Sequence, residues 1–122
     1  VKTKQMSALG LLGAVLLQSS CASSSTVAPG PEGNWGSDGP GQPSLVLEAG
    51  GKLHGTDGCN RLLGSYEASG TDITFGPLGG TRMFCEGVDT WLSHAAGATL
   101  GADTLEIMDA QGQRIGTLER MP

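Results

Sequence analysis

Five side chains carry the chemistry this chain could do: Cys21, Cys59, Cys85, His54 and His94. The cysteines sort into one plus two. Cys21 directly follows an apolar run near the N-terminus, where a thiol is placed to carry lipid. Cys59 and Cys85 lie in the body of the chain, 26 residues apart, and an exported protein is expected to pair them. Three rival chemistries fit less well. A zinc set of His54, Cys59, Cys85 and His94 lacks the closely spaced ligand pairs of a compact zinc module, so no metal site is predicted. Redox catalysis wants C-x-x-C at a helix N-terminus, whereas Glu86 beside Cys85 would oppose a thiolate. Hydrolase chemistry finds no Gly-x-Ser-x-Gly elbow. Asp57 and Glu86 read as surface carboxylates. Gly76-Pro-Leu-Gly-Gly80 lacks the Lys-Ser/Thr ending of a phosphate loop and reads as a turn. No catalytic residue and no cofactor is predicted, and the chain reads as a non-enzyme.

Residues 1–21 have the three parts of a lipoprotein signal peptide. Lys2 and Lys4 supply a positive start, and Met6 to Leu17 supply 12 uncharged, largely apolar residues. That length falls short of the roughly 20 residues a spanning helix needs. Gln18-Ser19-Ser20 leads into Cys21, and Leu-Leu-Gln-Ser-Ser-Cys-Ala resembles a bacterial lipobox. Gln18 departs from that pattern, since the preferred Leu stands one place further back. An acylated Cys21 gains about 0.8 kcal/mol per buried CH₂, enough with two or three chains for a firm membrane anchor. Residues 22–33, rich in Ser, Pro and Gly, read as a flexible tether. The expected location is the cell envelope, membrane-anchored and facing the extracytoplasmic side.

The chain carries 7 basic and 12 acidic residues. Without Lys2 and Lys4 the balance is five against twelve, a net of −7. So acidic a surface, with its basic residues scattered, disfavours nucleic acid as a partner. The expected partners are the membrane, through Cys21, and an unknown envelope protein or small-molecule ligand.

Residues 34–121 remain to fold as one domain. Such a domain buries only roughly 60–65% of its chain surface. A Cys59–Cys85 crosslink would add on the order of 3–4 kcal/mol. Short strands dominate. Ser44–Glu48 turns through Gly50-Gly51 into Lys52–Thr56, a hairpin. Arg61–Glu67 is a third strand, with Leu63 and Tyr66 as candidate core contacts. Asp72–Phe75 alternates, with Ile73 and Phe75 on one face. Leu105 and Ile107 share a face, and Asp109–Gln113 turns the chain into Arg114–Glu119. Ile115 and Leu118 differ in parity there, which predicts a bulge near Gly116. One amphipathic helix is predicted from Val88, Trp91, Leu92, Ala95 and Ala96, a single stripe with Glu86 and Asp89 at its start and Gly97 as its stop. Trp91 reads as core rather than as a ligand platform.

Two segments are distinctive. One is Gly55-Thr-Asp-Gly-Cys-Asn-Arg-Leu-Leu-Gly-Ser-Tyr66; the other is Thr81-Arg-Met-Phe-Cys85. In this order they resemble the META domain, the family of the heat-shock protein HslJ. Its pattern has a Gly-Cys-Asn turn before a Gly-x-Tyr strand, then Thr-x-Met-x-Cys. The matching residues here are Gly58, Cys59, Asn60, Gly64, Tyr66, Thr81, Met83 and Cys85, carried over as structural rather than catalytic. The resemblance implies a mainly β (α+β) fold: an antiparallel, barrel-like sheet with one helix inserted before the C-terminal strands. It also implies an envelope setting and a link to stress or drug tolerance, with no established enzyme activity. Read independently, Gly58 marks a tight turn and Asn60 is suited to cap it. The alternative class is a small secreted enzyme or inhibitor acting on envelope polymers or proteases.

Overall fold

Alternating apolar residues along short segments give strands with one buried face each. The computed structural model describes residues 30–122. The expected signal peptide, the expected lipid-anchor position Cys21 and the expected tether up to residue 29 lie outside the described residues. The nine strands are β1 (Gly33–Gly36), β2 (Ser44–Leu47), β3 (Lys52–Thr56), β4 (Arg61–Ser69), β5 (Asp72–Phe75), β6 (Gly79–Gly80), β7 (Gly97–Leu100), β8 (Thr104–Met108) and β9 (Arg114–Glu119). They form one antiparallel sheet in the order β1-β2-β3-β4-β5-β7-β8-β9, with β6 beside β4. Apart from that step over β6, neighbours in sequence are neighbours in space, as hairpin connections dictate.

The inner faces supply the core: Leu45 and Leu47 from β2, Leu53 from β3, Leu62 and Tyr66 from β4, Ile73 and Phe75 from β5, Leu105 and Ile107 from β8, and Leu118 from β9. Leu62 corrects one expectation. Leu63 and Tyr66 are the candidate core contacts of this segment, yet the two differ in parity, and a strand sends such residues to opposite faces. Leu62 is buried and Leu63 is 50% exposed.

Strand β4 is the corner of the barrel. Its first half pairs with β3 on one edge, His54 opposite Leu63, and its second half pairs with β5, Tyr66 opposite Phe75. Where β5 ends, the two residues of β6 take over that edge opposite Leu62 and Leu63. The barrel closes when β1 meets the end of β9. Trp35 bridges to Arg120, and the Met121 N–H donates to the Asn34 carbonyl at 2.9 Å. Trp35 is fully buried, with the Arg120 guanidinium 4.2 Å from its ring centroid. The same guanidinium donates to the carbonyls of Glu32 and Gly30, so the chain is held against the barrel from Gly30 onward.

The inserted amphipathic helix is not formed; a four-residue 3₁₀ turn, Trp91–His94, stands in its place. The backbone leaves helical geometry on both sides. Gly87 has φ +77° and Ala95 is extended at φ −65°, ψ 133°. Tertiary pairing decides the outcome. The Ala96 N–H donates to Met108 and its carbonyl accepts from Phe75, so the chain enters β7 one residue later. Strand β7 then fills the gap between β5 and β8, whose edge groups would otherwise lack partners. A ten-residue helix is marginal alone and could not compete with that gain. All five stripe residues are still at least half-buried: Leu92 and Ala95 in the core, Trp91 against it, Val88 against the turn at Gly58, and Ala96 beside β7.

The bulge in β9 is present one residue earlier than Gly116. Ile107 pairs with Gly116 and Met108 with Arg114, which leaves Ile115 as the extra residue. Gly116 has a separate task. A Cβ added there would collide with Cη2, Cζ3 and Cζ2 of Trp91, whose indole lies against the glycine. Gly116→Ala is therefore expected to lower stability by about 1–3 kcal/mol, read as a drop in the urea midpoint at unchanged slope. An unchanged midpoint would show that Trp91 does not rest there.

Candidate functional site

The two motif segments fold into one polar unit. Between β3 and β4 the chain makes a tight turn at Asp57–Asn60, closed by the Asp57 N–H donating to the Asn60 carbonyl at 3.1 Å. Asp57 Oδ1 accepts from the Cys59 N–H at 2.9 Å and the Asn60 N–H at 2.6 Å, an Asx turn. Gly58 has φ +100° and lies against the Gly41 backbone, so it meets both demands that favour glycine. The turn points the Asn60 side chain at the second motif. Asn60 Nδ2 donates to the Met83 carbonyl at 3.0 Å. Asn60 Oδ1 accepts from the Thr81 hydroxyl at 3.0 Å and from the Met83 N–H. The Thr81 hydroxyl oxygen in turn accepts from the Arg61 N–H at 2.9 Å. Cys59 and Cys85 sit at disulfide distance, their sulfurs 1.99 Å and their Cα atoms 5.8 Å apart.

Each residue assigned from sequence now has a place. Gly58, Cys59 and Asn60 build the turn, and Thr81, Met83 and Cys85 are held by it. Asn60 grips Met83 through its main chain, leaving that side chain 58% exposed. Gly64 lies in β4 beneath the Leu78 side chain. Tyr66 is buried on the inner face of β4, and its hydroxyl donates to the Glu48 carbonyl at 2.6 Å. Asp57 corrects the surface assignment: it is 1% exposed and central to the turn, whereas Glu86 is exposed. The Asp-Gly-Cys-Asn spacing carried that signal, because an Asp two and three residues before free N–H groups is an Asx-turn pattern. The two histidines are not brought to one place. His54 Nδ1 lies 2.9 Å from Glu48 Oε2, and His94 lies across the 79–85 segment at the end of the 3₁₀ turn. No group of three or more metal-ligating side chains occurs among the described residues.

The 79–85 segment separates two concavities. On the outer face, Val46, His54, Arg61, Leu63 and Met83 line a groove of about 540 Å³. On the other side lies a cavity of about 410 Å³ between Asp57, Asn60 and Leu62 and the residues Thr90, Ser93 and His94. Phe84, 89% exposed, stands at its rim.

A nearly closed antiparallel barrel whose β3–β4 turn clasps a following segment defines the class of this protein. The META domain profile matches residues 23–122, and the chain belongs to the META domain family. The NMR structure of a protein from Burkholderia xenovorans is similar at 26% identity and a TM-score of 0.49, with 66% of this chain and 64% of that chain covered. This chain thus spans less than two thirds of that protein's length. No curated protein sequence matches.

Asn60 is the hub of the unit. Asn60→Ala would leave the Thr81 hydroxyl and both Met83 main-chain groups without their partner, at a cost of about 2–4 kcal/mol with the disulfide intact. Chemical denaturation of the oxidised protein measures it, and a loss below about 0.5 kcal/mol would remove Asn60 from that role.

Tyr66 gives a pH dependence. Burial raises its phenol above the ordinary value of 10.0, and the negative charges of Glu32 and Glu48 push it the same way. The folded protein thus favours the neutral phenol. Its contribution is full below pH 10.0 and is lost as pH rises through the higher folded value. Tyr66→Phe should cost about 1 kcal/mol at neutral pH and flatten the alkaline fall in stability, both visible in urea titrations across that range. An alkaline limb as steep as in the parent protein would assign the fall to other groups.

Proposed function

We propose that this protein is a lipid-anchored cell-envelope protein, held at the extracytoplasmic membrane face by an acylated Cys21, whose META domain is a non-catalytic binding module serving stress or drug tolerance. The observation that supports binding is the outer groove. Val46, Leu63 and Met83 present apolar side chains outside the core, on a wall that hydrogen bonds and the Cys59–Cys85 pair hold in one shape. A pre-ordered surface loses less entropy when a partner settles on it. Apolar side chains grouped on a small acidic domain are the composition of a contact surface. A short envelope protein segment or a small apolar ligand fits that groove.

The anchor rests on the N-terminal pattern: Lys2 and Lys4, the apolar run from Met6 to Leu17, and Cys21 at its exit. Among the described residues no helix is long and apolar enough to cross a membrane. Expressed in a bacterium with a lipoprotein pathway, the parent chain is expected in the detergent phase on phase partitioning, with an intact mass beginning at Cys21 plus acyl chains. Cys21→Ser should move it to the aqueous phase without changing its thermal unfolding. An unacylated parent chain in the aqueous phase would overturn the anchor.

A further inference from the structure

We infer that the cavity behind the 79–85 segment is a binding site for a small zwitterion of amino-acid type, with its ammonium group on Asp57 and its carboxylate on Arg82. This goes beyond the proposed function and is independent of the anchor and of the outer groove.

Asp57 carries the argument. Asp57 is 1% exposed and is among the residues that line the cavity. Oδ1 is fully engaged by the Cys59 and Asn60 N–H groups. Oδ2 is buried and has no hydrogen-bond partner among the described residues. The turn needs only one carboxylate oxygen, and an asparagine would supply it. A second, unpartnered oxygen is costly to bury unless a donor reaches it. The cavity beside it, of about 410 Å³, falls within the range of small-molecule sites.

The remaining lining sets the ligand's character. Thr90 and Ser93 stand across from Asp57. The Ser93 hydroxyl donates to the Thr90 carbonyl at 2.8 Å, so its oxygen is left to accept. An ammonium group brings three donors, enough for Asp57 Oδ2 and such neighbours. Arg82 lies on the same cavity, exposed, and forms no ion pair among the described residues. A guanidinium at the open side is suited to a carboxylate, which stays partly hydrated there. The anion is buried and the cation exposed on one cavity, the order a zwitterion entering ammonium-first requires. Phe84 at the rim adds an aromatic face for whatever side chain the ligand carries.

The test uses the full-length chain, ¹⁵N-labelled and in mild detergent, titrated with L-alanine, D-alanine, methylammonium and acetate to about 10 mM. Saturable shifts of the Cys59, Asn60 and Ser93 amides are expected with at least one alanine enantiomer. Methylammonium should move the same amides more weakly, and acetate should not reach those of Cys59 and Asn60. Asp57→Asn keeps the acceptor for the turn and replaces the free oxygen by a donor. It should retain the native spectrum and weaken the alanine response about tenfold or more. Arg82→Ala, on the exposed segment, should weaken it several-fold. Absence of saturable shifts in the parent chain, or an undiminished response in folded Asp57→Asn, would overturn the site. Detergent partitioning is unaffected by either result, so the anchor is judged separately.

Discussion

The Asn60 side chain holds a segment that has little else to hold it. From Gly79 to Cys85 the chain contributes nothing to the core: Gly79 and Gly80 have no side chains, and Thr81, Arg82, Met83 and Phe84 are exposed. Hydrophobic burial therefore cannot order it. Its place is set by the two-residue pairing of β6 with β4, the Asn60 and Thr81 hydrogen bonds, and the link from Cys59 to Cys85. Buried side-chain-to-backbone bonds of this kind fix direction as well as position, because both partners lose water and must align. The same segment forms the wall between the outer groove and the end cavity. Asn60 therefore helps to shape both concavities.

That dependence explains why the two motifs occur together. The first motif is a turn whose Asp and Gly aim Asn60 outward from the end of β3. The second offers a hydroxyl and a main-chain N–H and carbonyl at the spacing of one primary amide. Cys59, next to Asn60, and Cys85, at the end of the second motif, reinforce the same joint. A domain of this size has a small core, and crosslinks placed at its least buried element act where apolar packing is weakest.

The barrel itself rests on more ordinary terms. Each strand buries one face, and the closing contact puts Trp35 inside with Arg120 across its ring. Four strands announce themselves by alternation or by flanking turns: β2, β3, β5 and β9 begin or end within a residue of where the pattern places them. β4 runs two residues longer than its pattern, because β5 pairs with it as far as Ser69. Val88 to Ala96 has helical spacing, but spacing measures only which residues could share a face. It is silent about β5 and β8, which need a strand between them and recruit Gly97–Leu100. Leu63 was misplaced because an apolar residue next to an apolar residue hides the parity of the strand.

The sequence alone pointed to the family, to the strand-rich barrel that the resemblance implies, to an expected Cys59–Cys85 pair, and to the residues of the two-motif joint apart from Asp57. These are local or carried by residue type: a turn needs its glycine, and a half-buried strand needs its alternation. Only the tertiary structure decided that Asp57 is buried with one oxygen unspent, that Met83 is held by its backbone, and that residues 91–100 become a 3₁₀ turn and a strand. Each depends on atoms far apart in the chain meeting in one place, and the requirement that buried polar groups find partners is satisfied only there.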